Sequence, residues 1–265
     1  MSSQSEVALD RRTQSGGAGF IGYLTVGYPD LETSIRAGRA LIDAGVDIIE
    51  LGLPYSDPGM DGPVIQYTGQ LALEAGTRTR HVMRAVQELA GSVPILVMTY
   101  FNPVHRYGVE GFARDLASAG GAGLITPDLI PDEAAAWIAA ATQHDLDRVF
   151  LVAPSSTDER LRLTADACRG FVYAASTMGV TGERLRVDDT AEVLVARTRA
   201  VGAERVCVGL GVSNAAHARE VGSYADGVIV GSALLRALGD GVASMRHLAV
   251  ELADAAHASR LPGRP

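Results

Sequence analysis

The 265-residue sequence predicts a single α/β domain built as a (β/α)8 barrel, a TIM barrel, with extra helices. Three observations carry that expectation. Short apolar runs recur along the chain, each followed by a Gly/Pro/Asp/Ser-rich loop and then a helical pattern. Strands that alternate with helices in this way imply a parallel sheet. The first run leads into Thr25-Val26-Gly27-Tyr28-Pro29-Asp30, without the GxGxxG that usually follows the first strand of the rival open sheet.

Taken in order, the apolar runs at 20–24, 47–51, 95–99, 123–125, 149–152, 171–173, 206–209 and 227–230 are the expected strands. The helical patterns between them fall at 31–44, 79–89, 109–119, 132–144, 158–167, 190–200 and 215–221, and a last one covers 242–258. The stretch between the second and third strands has room for a loop at 54–63 and an extra helix. The stretch after the sixth strand is also long and opens with Met178-Gly179-Val180-Thr181-Gly182. Long βα loops in a compact domain are usually lids or binding loops. Residues 1–17 read as a flexible N-terminal segment, 18–258 as the barrel, and 259–265 as a frayed tail, with no linker dividing the chain.

Composition narrows the function classes. The net charge of -8 and the absence of a basic run argue against nucleic acid or an anionic membrane as the main partner. No apolar run approaches the ~18 residues of a membrane span. Residues 1–17 lack the apolar core of a signal peptide, so a cytoplasmic protein is expected. Cys168 and Cys207 lie far apart and read as reduced, buried thiols. All 23 basic residues are arginine, and a chain without lysine cannot form a lysine Schiff base with a carbonyl substrate.

The second strand carries the main chemical signal. Alternation puts Ile48 and Glu50 on one face, with Asp47 and Ile49 on the other. If Ile48 points into the barrel, Glu50 points inward at the mouth, where burial raises a carboxyl above its usual ~4.3. Such a group can both give and take protons. The alternative is a glutamate paired with an arginine of a neighbouring loop. In the following loop, Asp61 is either a second acid/base group or an ordinary Asp-Gly turn residue, and Asp57 before Pro58 is equally open.

The last two strands carry a different signal. Val208-Gly209-Leu210-Gly211-Val212-Ser213 follows the seventh, and Val230-Gly231-Ser232-Ala233 follows the eighth and opens a helix. Glycines there let backbone N–H groups approach a phosphate, and a helix N-terminus favours the anion. The same glycines would also simply turn the chain. His81, His105, His144, His217, His247 and His257 are scattered, and His217 with Glu220 reads as a solvated pair. No HxH, HExxH, CxxC or GxSxG pattern is present, so no metal is expected. Tyr100 and Tyr173 lie at strand ends, as pocket lining or as core.

The stretch from Glu50-Leu51-Gly52-Leu53-Pro54-Tyr55-Ser56-Asp57-Pro58 through Asp61-Gly62-Pro63-Val64-Ile65-Gln66 closely resembles the signature of the tryptophan synthase alpha chain family. The resemblance continues in family order through Tyr23–Pro29, Met98-Thr99-Tyr100-Phe101-Asn102-Pro103, Pro127-Asp128-Leu129, Gly179-Val180-Thr181-Gly182 and Gly231-Ser232. It implies a barrel that cleaves indole-3-glycerol phosphate into indole and glyceraldehyde 3-phosphate without a cofactor of its own. It assigns Glu50 as general acid/base and Asp61 as its partner. It gives the phosphate to Gly182, Gly211, Gly231 and Ser232, the indole site to Tyr173, and the closing loop to Thr181, which meets the aspartate; Tyr100 is kept beside them as a candidate substrate contact. It also implies a pyridoxal-phosphate beta chain as partner in an alpha2beta2 assembly, with Asp57-Pro58 in the loop that communicates with it. After strand six the chain reads Ser176-Thr177-Met178-Gly179 where the family often reads Ser-Arg-x-Gly, and Gly59 and Met60 also depart from the usual pattern.

Two readings stand beside the lyase with a partner. One is a free-standing lyase that releases indole. The other is a catalytically silent subunit that only activates a beta chain. An indole-glycerol-phosphate synthase is disfavoured, because that family relies on lysines this chain lacks.

Overall fold

The computed structural model describes residues 3–175, 189–209 and 211–259. Eight strands alternate with helices: β1 (Gly19–Thr25), β2 (Ile48–Gly52), β3 (Ile95–Met98), β4 (Gly123–Thr126), β5 (Asp147–Val152), β6 (Val172–Ala175), β7 (Val206–Gly209) and β8 (Gly227–Val230). Each pairs in parallel with the next, and β8 returns to β1, so the sheet closes into the expected barrel. The helices are α1 (Gln4–Gln14), α2 (Leu31–Asp43), α3 (Pro63–Glu74), α4 (Thr79–Leu89), α5 (Phe101–Tyr107), α6 (Val109–Ser118), α7 (Ala135–Gln143), α8 (Asp158–Ala167), α9 (Asp189–Ala200), α10 (Ala215–Gly222), α11 (Ser232–Gly239) and α12 (Val242–His257).

Strand alternation splits the core in two. Ile21, Ile48, Leu96, Ile125, Val149, Phe171, Cys207 and Ile229 pack against one another inside the barrel. Their neighbours Leu24, Ile49, Val97, Phe150 and Val228 face outward against the helices. Full burial of each such Leu, Ile or Phe contributes ~1.5–3 kcal/mol.

Residues 4–14 correct the expectation of a flexible N-terminal segment. They form α1, whose first turn is capped by Ser3, with Glu6 N–H donating to Oγ at 3.1 Å. Leu9 is fully buried among the interior side chains Ile21 and Ile48 and closes the barrel floor. Polar ties hold the rest: Ser3 Oγ donates to Asp147 at 2.7 Å, Arg205 grips both oxygens of Asp10 at 2.8 Å, and Arg12 meets Asp47 at 2.9 Å. A mostly polar sequence with a single plugging leucine has no periodic apolar stripe, so its helix is made by the barrel it seals.

The other end of the chain meets the same floor. His257 Nε2 lies 2.8 Å from Asp47 Oδ2, and Ser259, expected in the frayed tail, is buried and accepts from Ala18 N–H at 3.3 Å. The remaining tail positions, 260–265, lie outside the described residues. Two further helices enlarge the expected set: α5, directly after β3, and α11, of which the sequence announces only the opening. No helix among the described residues is long and apolar enough to cross a membrane.

Candidate active site

Glu50 stands one layer above Ile48 on the inward face of β2, toward the strands' C-terminal ends. In register it lies beside Tyr23 of β1 and Leu96 of β3. It is fully buried, and neither carboxyl oxygen has a hydrogen-bond partner among the described residues. Burial alone pushes its pKa up to about 8. Among the described residues no arginine meets it, so none of them supplies the structural ion pair of the alternative reading. A carboxyl that is neutral at pH 7 and still close to its titration point suits proton donation followed by proton recovery.

Asp61 sits in the loop between β2 and α3, where Asp61 N–H donates to Pro58 C=O at 3.1 Å and Pro63 starts the helix. Gln66 in the first turn of α3 reaches back, its Nε2 donating to the Asp61 carbonyl at 2.7 Å. The carboxyl is partly buried and its pKa is pushed up to about 6 by desolvation, offset by a hydrogen bond from the Tyr100 hydroxyl. The loop brings Asp61 back over the barrel mouth, into a cleft that it shares with Tyr23, Thr25, Leu53, Met98 and Tyr100.

Tyr100 does more than line that cleft. Its hydroxyl accepts from Met60 N–H at 2.9 Å and also meets the Asp61 amide, so it braces the loop that presents the carboxylate. Tyr23 lines the same cleft, and Tyr173 lies close enough to feel the charges of Glu50 and Asp61. Each lies across a strand-end glycine: a Cβ built at Gly209 would overlap the Tyr173 hydroxyl, and one at Gly52 the Tyr23 hydroxyl. Burial raises both phenols, and Glu50 and Asp61 add to the shift in each.

Tyr23 is a site residue that the sequence reading quoted only as part of the resemblance. Its signal was available, since alternation along β1 puts Ile21, Tyr23 and Thr25 on the face that bears Ile48 and Glu50 in β2. Thr25 Oγ1 lies 2.9 Å from Thr68 Oγ1 of α3, which fixes the helix behind the Asp61 loop to the strand.

The glycine turns lie at the same end of the barrel. Gly211 has a φ of +86°, a backbone that L side chains rarely adopt, and no atom of the described residues stands within 4 Å of a Cβ built there. Gly231 is the N-cap of α11, Ser232 is its first residue, and no side chain among the described residues caps that end. Amides of an uncapped helix end are ready donors to an anion. Thr181 and Gly182, together with the loop at 178–187, lie outside the described residues. His217 pairs with Ser213 Oγ at 3.3 Å, not with Glu220, and His105 is exposed on α5. No cluster of three or more metal-ligating side chains occurs among the described residues.

The sequence model of the family described as tryptophan synthase alpha chain matches residues 9–260. The tryptophan synthase alpha chain of Mycobacterium marinum is 61% identical over 238 residues, covering 89% of this chain and 88% of its own. A structure of Mycobacterium tuberculosis tryptophan synthase superposes with a TM-score of 0.94 at 53% identity, over 98% of this chain and 100% of that one. A chain of the tryptophan synthase complex from Pyrococcus furiosus superposes with a TM-score of 0.83 at 34% identity, over 89% and 98%.

Proposed function

This chain belongs to the tryptophan synthase alpha chain family, and from that premise we propose that Glu50 and Asp61 are the two groups with which it carries out its reaction. The reaction is the lyase step that cleaves indole-3-glycerol phosphate to indole and glyceraldehyde 3-phosphate in tryptophan biosynthesis. The observation that carries the residue assignment is the Glu50 carboxyl, buried without a partner and titrating near 8, with Asp61 titrating near 6 at the same mouth.

The cleavage is a retro-aldol step, and its proton inventory matches the two carboxyls. Protonated Glu50 gives its proton to indole C3, which leaves the ring as an indoleninium. Ionised Asp61 accepts or electrostatically stabilises the ring N–H. The Glu50 carboxylate then takes the proton of the glycerol hydroxyl on the carbon attached to C3. The carbon–carbon bond breaks, its electron pair restores the indole ring, and the hydroxyl carbon leaves as the aldehyde. Glu50 ends as it began. Tyr23 and Tyr173 form the wall against the indole ring. The amides at Gly211, Gly231 and Ser232, with Gly182 by resemblance, hold the phosphate.

The test is the pH dependence of indole release. Activity requires Asp61 ionised and Glu50 protonated. The kcat/KM profile is therefore expected to be a bell, rising near pH 6 and falling near pH 8. A profile flat from pH 5 to 9 would refute the assignment of both residues.

A beta chain is the proposed partner. The Pyrococcus furiosus neighbour comes from a tryptophan synthase complex. On this chain Met60, Tyr107 and Ile130 are large, exposed apolar side chains in the segments that follow β2, β3 and β4, beside the mouth. Adding a tryptophan synthase beta chain is expected to raise the rate of indole-3-glycerol phosphate cleavage. An unchanged rate would favour the free-standing lyase.

A further inference from the structure

The short helix α5 begins where β3 ends, and its own N-cap residue, Tyr100, makes no side-chain cap. Pro103 in the first turn has no N–H, which leaves the Phe101 and Asn102 amides as its free donors. A residue of another element supplies the missing acceptor. Asp128, just past the end of β4, takes the Phe101 N–H on both carboxylate oxygens, at 2.9 and 3.2 Å. A carboxylate at a helix N-terminus is the favourable charge there.

What this fixes is the entry of α5, and the entry of α5 is the brace of the Asp61 loop. Tyr100 directly precedes the amide that Asp128 holds, and its hydroxyl takes the Met60 N–H at 2.9 Å. The next residue but one, Asn102, donates from Nδ2 to the Tyr55 hydroxyl at 3.0 Å, at the other end of the same loop. The Tyr55 and Tyr100 rings pack with centroids 5.2 Å apart. The loop is thus gripped at both ends by the first turn of one short helix, and that turn is set from β4.

We propose that Asp128 is a positioning residue for the cleavage reaction: it orients the first turn of α5, and through Tyr100 that turn holds Asp61 over the barrel mouth. The proposal rests on the reading of Asp61 as a reacting carboxylate. Its effect belongs to kcat, because a displaced carboxylate is felt when the proton moves, while the phosphate corner lies on β7 and β8.

The titration of Asp61 gives an independent readout. Among the described residues the ionisable groups that interact with it are Tyr100 at the start of α5, Tyr23 from β1 and Tyr173 from β6, with Glu50 on β2 facing the same two inner phenols. Of these, only the Tyr100 hydroxyl stabilises its charged form. Loosening Tyr100 therefore moves the acid limb of the pH profile upward from about 6.

The experiment is steady-state kinetics on the full chain with Asp128→Ala, Asp128→Asn and Tyr100→Phe, alone and combined with Asp61→Asn. Asp128→Ala is expected to lower kcat about tenfold with KM within about twofold, and to move the acid limb upward. Asparagine keeps one oxygen for the Phe101 amide and is expected to restore most of kcat. Asp128→Ala with Tyr100→Phe should be no worse than the poorer single variant, and Asp128→Ala should add nothing to Asp61→Asn, since residues acting in one chain are not additive. A full tenfold loss by Asp128→Ala on top of Asp61→Asn overturns the proposal, as does an acid limb that stays in place. If Asp61→Asn itself retains activity, the assignment of Asp61 fails; if Asp61→Asn is impaired and Asp128→Ala is not, only the positioning role fails.

Discussion

Replacing Glu50 with glutamine is expected to lower kcat for indole release by ~10²–10⁴-fold, the usual worth of a general acid/base, while making the protein more stable. Both effects come from one feature, a carboxyl fully buried with no hydrogen-bond partner among the described residues. Glutamine keeps the shape of the side chain and loses the proton that indole C3 needs. The stability gain depends on pH with a definite sign. The folded pKa, about 8, lies above the ordinary 4.5. Below pH 4.5 the carboxyl is protonated whether the chain is folded or not, and it costs nothing. As pH rises through 4.5 toward 8 the unfolded chain ionises and the folded one does not, which favours unfolding by an amount that grows to roughly 5 kcal/mol. The buried amide cancels part of that gain. Thermal melts are expected to place Glu50→Gln above the parent by ~5 °C at pH 8, and close to it at pH 4.5. A variant that keeps its kcat within threefold would remove Glu50 from the reaction, and one that melts below the parent at pH 8 would contradict the cost assigned to its burial.

Asp61→Asn is expected to cost about 10²-fold in kcat with a smaller change in KM. Asparagine preserves an oxygen for the Tyr100 hydroxyl, so the loop keeps its brace and the loss is that of the charge facing the indole nitrogen. The pH profile separates the two carboxyls. In Asp61→Asn the limb near 6 should vanish and the limb near 8 persist; in Glu50→Gln the reverse holds. A variant that keeps both limbs would show that some other group titrates near 6.

Glu50 was legible because two simple rules meet on it. A short apolar run defines β2, and the period of two puts residue 50 on the face of Ile48. Asp61 was not legible from its own surroundings, since Asp-Gly is turn chemistry in most loops; only the fold returns it over the barrel mouth. Tyr100 reads from sequence as lining, whereas in the structure its hydroxyl serves the Asp61 loop, a role that depends on where α5 starts. That helix is seven residues long and carries a proline, too short and too broken for a periodic signal. α1 was missed for the opposite reason: its pattern is polar, and what makes it a helix is the barrel floor under Leu9. Tertiary contact overrides weak local preference in both elements.

The phenols that rest on Gly52 and Gly209 turn each wall position into a matched couple. At 52 and at 209 the strand lacks the one methyl that would fill the place where a neighbouring oxygen lies. An alanine can enter either strand end only if the facing ring withdraws, because ring carbons as well as the phenol oxygen lie within 3 Å of the added methyl. The size allowed at each strand end is therefore set by the ring across from it, and the ring keeps its place only while the strand end stays bare.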